Sequence, residues 1–406
     1  MRRLRPIFLF SILVCTGVVF VGALNLFYAG GIELFRGDAG IAQIVKEQID
    51  TGKVLLTSPD FNDRIYKREM LRQRAAGIKV LVTGSSRVFL LDADIFGEIL
   101  NVDRHVFFNA GMQGSTLEDH IIVWQICKEQ GLSPAVFFLG LDPWVLNENS
   151  GESRWEVFDA EFRRFQYSYL ETGPSLMYYL TDRFLHYYWL KATDLLGAPR
   201  LLVALQSVGH SMLDKVPAVP PGEELVLMKE SAKPAERAGK RIDGSAVYPK
   251  REAEARFSGD NAKLVLGDAK AGKFYHFNEW HRLSQDRMDL LNRLLKEMQT
   301  HGVKVIGFTV PYIPDYYNIL KEHKDYMRLL RQQSAFFRGS FSQFQFEYYD
   351  MLDPAVTGLT TEDFTDYIHP TRDGMGKVLR YIRDRSVIVK DGFLGLRGER
   401  QSTSRD

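Results

Sequence analysis

Short apolar runs alternate with helical periods along most of the C-terminal four-fifths of this chain, and that alternation restricts the folds open to it. Residues 78–83 form a buried-strand pattern ending in Gly84-Ser85-Ser86, and 104–108 form a second strand running into a glycine-containing loop. Helical spacing over 116–130 stops at Gly131, and Pro134 leads into a third strand, 135–139. After a long interval come a helix at 283–300, a strand at 303–310, a helix at 321–337, a strand near 346–349 and a last helix to about 385. Strands separated by helices predict an α/β fold with a parallel sheet covered on both faces. Such sheets place their chemistry at the carboxyl ends of the strands.

The N-terminus departs from this pattern. Arg2, Arg3 and Arg5 precede the uncharged apolar run 7–28, whose 22 residues can cross the hydrocarbon core as a helix. The run exceeds the apolar stretch of a cleaved leader, so a retained anchor is expected, although Ala23 and Ala29 allow cleavage. The arginines would stay in the cytoplasm. That gives a single-pass protein of the cytoplasmic membrane with its C-terminal domain on the extracytoplasmic, periplasmic side.

The expected organisation is a cytoplasmic tip and transmembrane anchor at 1–30, a stalk at 31–77, a domain at 78–390 and a flexible tail at 391–406. The domain carries an insertion at 143–283. Part of the insertion, 157–205, is helical and rich in aromatic residues, and 214–274 is rich in proline and charge, which predicts an exposed, partly disordered segment. The net charge of +1 and the lack of a basic stripe argue against a nucleic-acid partner. Of the two cysteines, Cys15 lies in the apolar run, so no disulfide can form within the exported part, and Cys127 suits a buried apolar position. His276 and His281 have no cysteine or carboxylate at metal-ligand spacing, and the chain holds no phosphate-binding glycine loop. Neither a metal nor a cofactor is expected.

Three loops fall at the sheet edge where chemistry is expected. Gly84-Ser85-Ser86-Arg87 follows a strand and can project a serine hydroxyl, or can be a simple turn or helix cap. Gly111 and Gly114 let the backbone approach a ligand at a helix N-terminus, or serve tight packing with Ser115 or Thr116 as the cap. Asp366-Tyr367-Ile368-His369-Pro370 sets a carboxylate three residues before a histidine, so one turn can supply a base together with the group that orients it. The other possibility is that Asp366 caps a turn and His369 is a surface residue.

Together these segments resemble the SGNH (GDSL-type) hydrolase superfamily of serine esterases and acyltransferases. The resemblance covers 78–142 and 303–385 and leaves the insertion unaccounted for. It implies a flavodoxin-like three-layer α/β/α sandwich around a central parallel sheet, with Ser86 as nucleophile, His369 as base and Asp366 as its orienting partner. It also implies that Gly114 donates its backbone N–H to the oxyanion. The place of the family's asparagine, a second oxyanion donor, is held here by Asp142 in Gly140-Leu141-Asp142-Pro143. An ionised aspartate only accepts hydrogen bonds and would repel the developing charge, so Asp142 must be protonated, turned away or engaged elsewhere, for instance with Arg87.

In layout the chain looks most like the anchored extracytoplasmic members: the D-alanyl transfer protein of teichoic acid modification and the O-acetylation proteins of alginate and cellulose export. The implied activity is that of a serine acyl-esterase or acyltransferase on acyl esters of a cell-envelope polysaccharide. The implied partners are an envelope glycan or acyl donor, a multipass membrane O-acyltransferase, and the membrane through the N-terminal helix. The Asp142 departure keeps a second expectation open: a catalytically silent accessory protein that binds the acyltransferase or its glycan acceptor.

Overall fold

A computed structural model describes residues 31–57, 61, 63–167, 225–229, 238–248, 257–277 and 279–392. The expected anchor at 1–30, the aromatic stretch beyond 167 and the tail from 393 lie outside the described residues. Among the described residues no helix is long and apolar enough to cross a membrane. The chain separates into two compact units. The first comprises 1–46 and 166–225, and its described part is chiefly the beginning of the helix Gly31–Thr51. The second, 47–165 and 226–406, holds both sheets and every residue of the candidate site.

In chain order the strands are β1 (Val54–Leu56), β2 (Val80–Thr83), β3 (Phe107–Asn109), β4 (Val136–Gly140) and β5 (Val226–Met228). They continue as β6 (Gly239–Lys240), β7 (Ala246–Val247), β8 (Lys304–Phe308) and β9 (Glu347–Tyr349). The larger sheet has the order β3-β2-β4-β8-β9, and every pairing in it is parallel. The alternation of strands and helices predicted this mixed α/β architecture.

Side chains on both faces of β2 and β4 are buried, as continuous apolar strands in a parallel sheet require. One face packs Val80, Val82, Phe138 and Ile306 against Phe96 of the helix Ala93–Leu100 and Leu379 of the helix Arg372–Arg385. On β8 the absence of a side chain at Gly307 admits the ring of Phe341, from the helix Lys324–Gln343.

Several boundaries shift for local reasons. The expected strand at 104–108 starts late, because Asp103 accepts a hydrogen bond from the His105 N–H at 2.8 Å and holds a single 3₁₀ turn first. The strand expected to reach 310 ends at Phe308. Beyond it the backbone N–H groups of Thr309, Tyr312 and Ile313 bond to Tyr349, Leu352 and Tyr367 instead. The helix expected at 321–337 is two helices, Pro314–Glu322 and Lys324–Gln343, the first opened by a proline whose φ already suits a first helical turn.

The stalk and the insertion differ most from the sequence reading. β1 pairs antiparallel with β5 and with β6, and β6 with β7, so residues from 31–77 and 143–283 share a second sheet in the order β5-β1-β6-β7. Its hairpin is fastened to the main sheet: Asn109 N–H donates to Asp243 O at 2.7 Å, and Ala246 N–H to Phe89 O at 2.9 Å. Lys67, from the helix Asp63–Arg74, is fully buried and donates to the carbonyl of Asn109 at 2.5 Å and to that of Gly244. Burial drives its amine well below the usual lysine range. Arg64, on the same helix, makes a paired contact with both oxygens of Asp119 at 2.8 Å each. Asp119 also accepts the Thr116 N–H at 2.9 Å, at the start of the helix Leu117–Glu129.

Candidate functional site

The turn that carries Ser86 begins where β2 ends. Gly84 carries no side chain because a Cβ there would lie 2.8 Å from Val88, and Val88 also fills the space above Gly111. Ser85 is buried and its hydroxyl accepts the Arg87 N–H at 3.3 Å, which closes one 3₁₀ turn, Ser86–Val88. Ser86, half-buried, is left with its hydroxyl facing the opposite segment of the chain.

That segment is the turn before the last helix. Ser86 Oγ lies 2.7 Å from His369 Nε2, across 283 positions of sequence. His369 Nδ1 lies 2.6 Å from Asp366 Oδ2. Asp366 Oδ1 accepts the N–H groups of Ile368 and His369, both at 2.8 Å, so the carboxylate organises the turn as well as the ring. With a carboxylate on Nδ1, the tautomer leaving Nε2 free to accept the serine proton is the favoured one. Burial acts to raise the Asp366 pKa. The His369 hydrogen bond and charge and the backbone N–H bonds outweigh it, so the carboxyl is held below its usual range.

The turn is held from three sides. Ile313 N–H donates to Tyr367 O at 3.1 Å, Thr365 N–H to His369 O at 3.0 Å, and Thr371 N–H to Asp363 O at 2.7 Å. Thr371 then caps the helix Arg372–Arg385 by accepting the Gly374 N–H at 3.1 Å.

Asp142 is engaged with Arg87. It is buried at the end of β4, and Oδ1 accepts Arg87 Nη1 at 3.1 Å. Arg87, also buried, donates further to Pro311 O at 2.8 Å, to Ile368 O at 3.2 Å and to Val310 O, and its guanidinium lies 4.6 Å from the Tyr312 ring centroid. One side chain thereby ties the Ser86 turn to the ends of β4 and β8 and to the histidine turn. Burial raises the Asp142 pKa, opposed by the charge of Arg87. Asp142 thereby serves as the counter-ion of Arg87.

The glycine loop runs beside the Ser86 turn: Ala110 N–H donates to Val82 O at 2.7 Å and Met112 N–H to Gly84 O at 2.9 Å. Gly114 is buried with φ +58°, a left-handed conformation natural to glycine. A Cβ there would lie 2.0 Å from Arg154 Nη2 and 2.4 Å from Glu152 Oε2. The N–H groups of Ser86 and Gly114 have no hydrogen-bond acceptor among the described residues.

Asn109 is a site residue that the sequence did not single out. Its amide donates to Val88 O at 2.8 Å and Leu91 O at 2.9 Å, and its oxygen accepts the Gly111 N–H at 2.8 Å. It thus pins the chain after Ser86 to the glycine loop. The available signal was a polar side chain at the end of an apolar strand. Nothing marked Glu152, Arg154 or Tyr275, which come from the insertion, and His276 was weighed only as a metal ligand.

A cavity of about 470 Å³ reaches the histidine turn at Tyr367, and Ser150, Tyr275, His276 and Tyr316 are among its other lining residues. Burial raises the Tyr275 hydroxyl pKa and pushes that of Tyr367 up to about 12, so both are neutral hydroxyls near pH 7. His120, bonded to Thr83 at 3.0 Å behind the sheet edge, is pushed down to about 3 by burial and is neutral as well. Among the described residues no cluster of histidine, cysteine and carboxylate could hold a metal ion.

No protein-family model matches the chain, and no curated protein sequence matches it.

Proposed function

We propose that the protein is a serine acyl-esterase or acyltransferase of the SGNH type, with Ser86, His369 and Asp366 as its triad. The reading rests on one observation above the rest: the chain of short contacts from Ser86 Oγ to His369 Nε2 and from His369 Nδ1 to Asp366. Two residues 283 positions from the serine come together in hydrogen-bond order with it. A capping aspartate and a surface histidine would have no reason to do so. The parallel sheet with helices on both faces is compatible with the three-layer sandwich of that superfamily.

In this mechanism Ser86 Oγ attacks the acyl carbonyl carbon while its proton passes to His369 Nε2. The carbonyl π electrons move to oxygen, and the N–H groups of Ser86 and Gly114 stabilise the oxyanion. Collapse expels the alcohol, which takes the proton from His369 and leaves an acyl–Ser86 ester. Water or a sugar hydroxyl then attacks that ester by the same relay. Asp366 holds the ring and stabilises the imidazolium.

The apolar run 7–28 supports attachment to the cytoplasmic membrane, with the catalytic unit outside the cytoplasm and within reach of a multipass O-acyltransferase. The aromatic and hydroxyl lining of the cavity suits a sugar ring, which favours an acylated envelope glycan as substrate. Hydrolysis of p-nitrophenyl acetate, and acetate release from O-acetylated alginate and cellulose, test the activity. Ser86→Ala and His369→Ala should each lower turnover by about 10³-fold or more. Equal rates for wild type and both variants would remove the proposal. The alternative is a catalytically silent accessory protein, which a folded wild type without turnover on any of these esters would favour.

A further inference from the structure

We propose that Arg154 is the side-chain oxyanion donor of this site, in the role that Asp142 cannot fill; the inference rests on the triad reading above. The carboxylate at the end of β4 is committed to Arg87, which leaves the place of a side-chain donor open. A donor must therefore come from elsewhere if the oxyanion is to have a side-chain contact.

The Arg154 guanidinium is the group packed against the glycine loop. Its Nη2 reaches within 2.0 Å of the point where a Gly114 Cβ would stand, so only a glycine lets it sit against that backbone. The side chain is 42% exposed, in contrast to Arg87 at 1%, and can therefore meet a substrate. Glu152, 4% exposed, aims it: Nε donates to Oε1 at 2.7 Å and Nη2 to Oε2. The Arg154 N–H also bonds to Glu152 Oε1 at 3.1 Å, so the pair forms a closed local unit. The ion pair raises the arginine pKa and keeps the group charged. Glu152 and Arg154 continue the segment from Ser150 and Gly151, which line the cavity that reaches Tyr367.

Two N–H edges of the planar fork go to Glu152, and the others remain for an oxygen entering over Gly114. A charge-assisted hydrogen bond to the oxyanion is stronger there than to the neutral carbonyl of the ground state, so its effect falls on kcat. The neighbouring glutamate lowers the net charge of the unit, which limits binding of anions in general.

The test uses p-nitrophenyl acetate kinetics on the full chain with Arg154→Met, Arg154→Lys and Arg154→Ala, after thermal melts show which variants are folded. The expected result is a fall in kcat of about 10- to 100-fold for Arg154→Met with KM changed little, and a smaller fall for Arg154→Lys. Millimolar guanidinium ion should raise the kcat of Arg154→Ala several-fold, which a purely structural role does not predict. A folded Arg154→Met with kcat within twofold of wild type overturns the inference, as does a change confined to KM; in both cases wild-type turnover leaves the triad reading intact. A wild type without turnover, and without labelling of Ser86 by a fluorophosphonate, overturns the triad reading and this inference with it.

Discussion

Arg87, which follows Ser86 in sequence, forms a buried ion pair with Asp142, Nη1 to Oδ1 at 3.1 Å. The pair explains how an aspartate can stand where a donor is expected without poisoning the site: its charge is directed at Arg87. Removing one member of such a pair leaves the other buried without compensation, a loss of about 3–5 kcal/mol in comparable cases. Asp142→Leu should cost about 3 kcal/mol in urea unfolding, towards the lower end because Arg87 keeps its carbonyl acceptors at Val310, Pro311 and Ile368. Arg87→Lys should lower turnover more than it lowers stability, since one ammonium cannot span Asp142 and all three carbonyls. A stability change under about 0.5 kcal/mol for Asp142→Leu would contradict this account.

Asp366 gives a pH-dependent signature. Its carboxyl is held below the ordinary range in the folded state, so the folded protein binds its proton less readily than the unfolded chain does. The stabilisation is complete above the unfolded pKa, near 4, and is lost as pH falls through the depressed folded value. The difference in urea unfolding between wild type and Asp366→Asn should therefore narrow as pH falls from about 5 through the depressed folded value. A gap that widens below pH 4 has the wrong sign for this assignment.

Gly114 combines a left-handed backbone with close packing against the Arg154–Glu152 pair. Gly114→Ala should cost about 1–2 kcal/mol from the backbone alone. The added methyl also displaces Arg154, so the loss in kcat should exceed what the drop in stability explains. Stopped-assay kinetics at a temperature well below the melting transition separate the two effects.

The hairpin of the small sheet provides a structural control. Gly244 has φ +81°, and a Cβ there would stand 2.2 Å from the carbonyl oxygen of Asn109. This is a backbone clash that no rotamer relieves. Gly244→Ala should lift the hairpin from the end of β3 and loosen Lys67 from both of its carbonyls, lowering the melting temperature by several degrees, about 2–4 kcal/mol. An unchanged melting temperature would show that the hairpin is not fastened there.

How legible these features were followed the length of the patterns. Runs such as 78–83 and 135–139 are long and apolar, so the parallel sheet and the positions of Ser86, Gly114 and His369 could be anticipated from the chain alone. β1, β6 and β7 have three, two and two residues, too few to show alternation, and their partners lie far away in sequence. A sheet built from the stalk and the insertion was therefore hidden. The same holds for Lys67: its buried amine is defined by the Asn109 and Gly244 carbonyls, which are 42 and 177 positions away. Arg154 left no trace because its role depends on Gly114, a glycine that reads equally well as a packing residue.

The triad itself is tested most directly by intact-mass analysis after incubation with a fluorophosphonate. Wild type should gain a single adduct, mapped by peptide analysis to Ser86, and folded Ser86→Ala and His369→Ala should gain none on the same timescale. A folded wild type that stays unmodified, or one modified at a serine other than Ser86, would contradict the account.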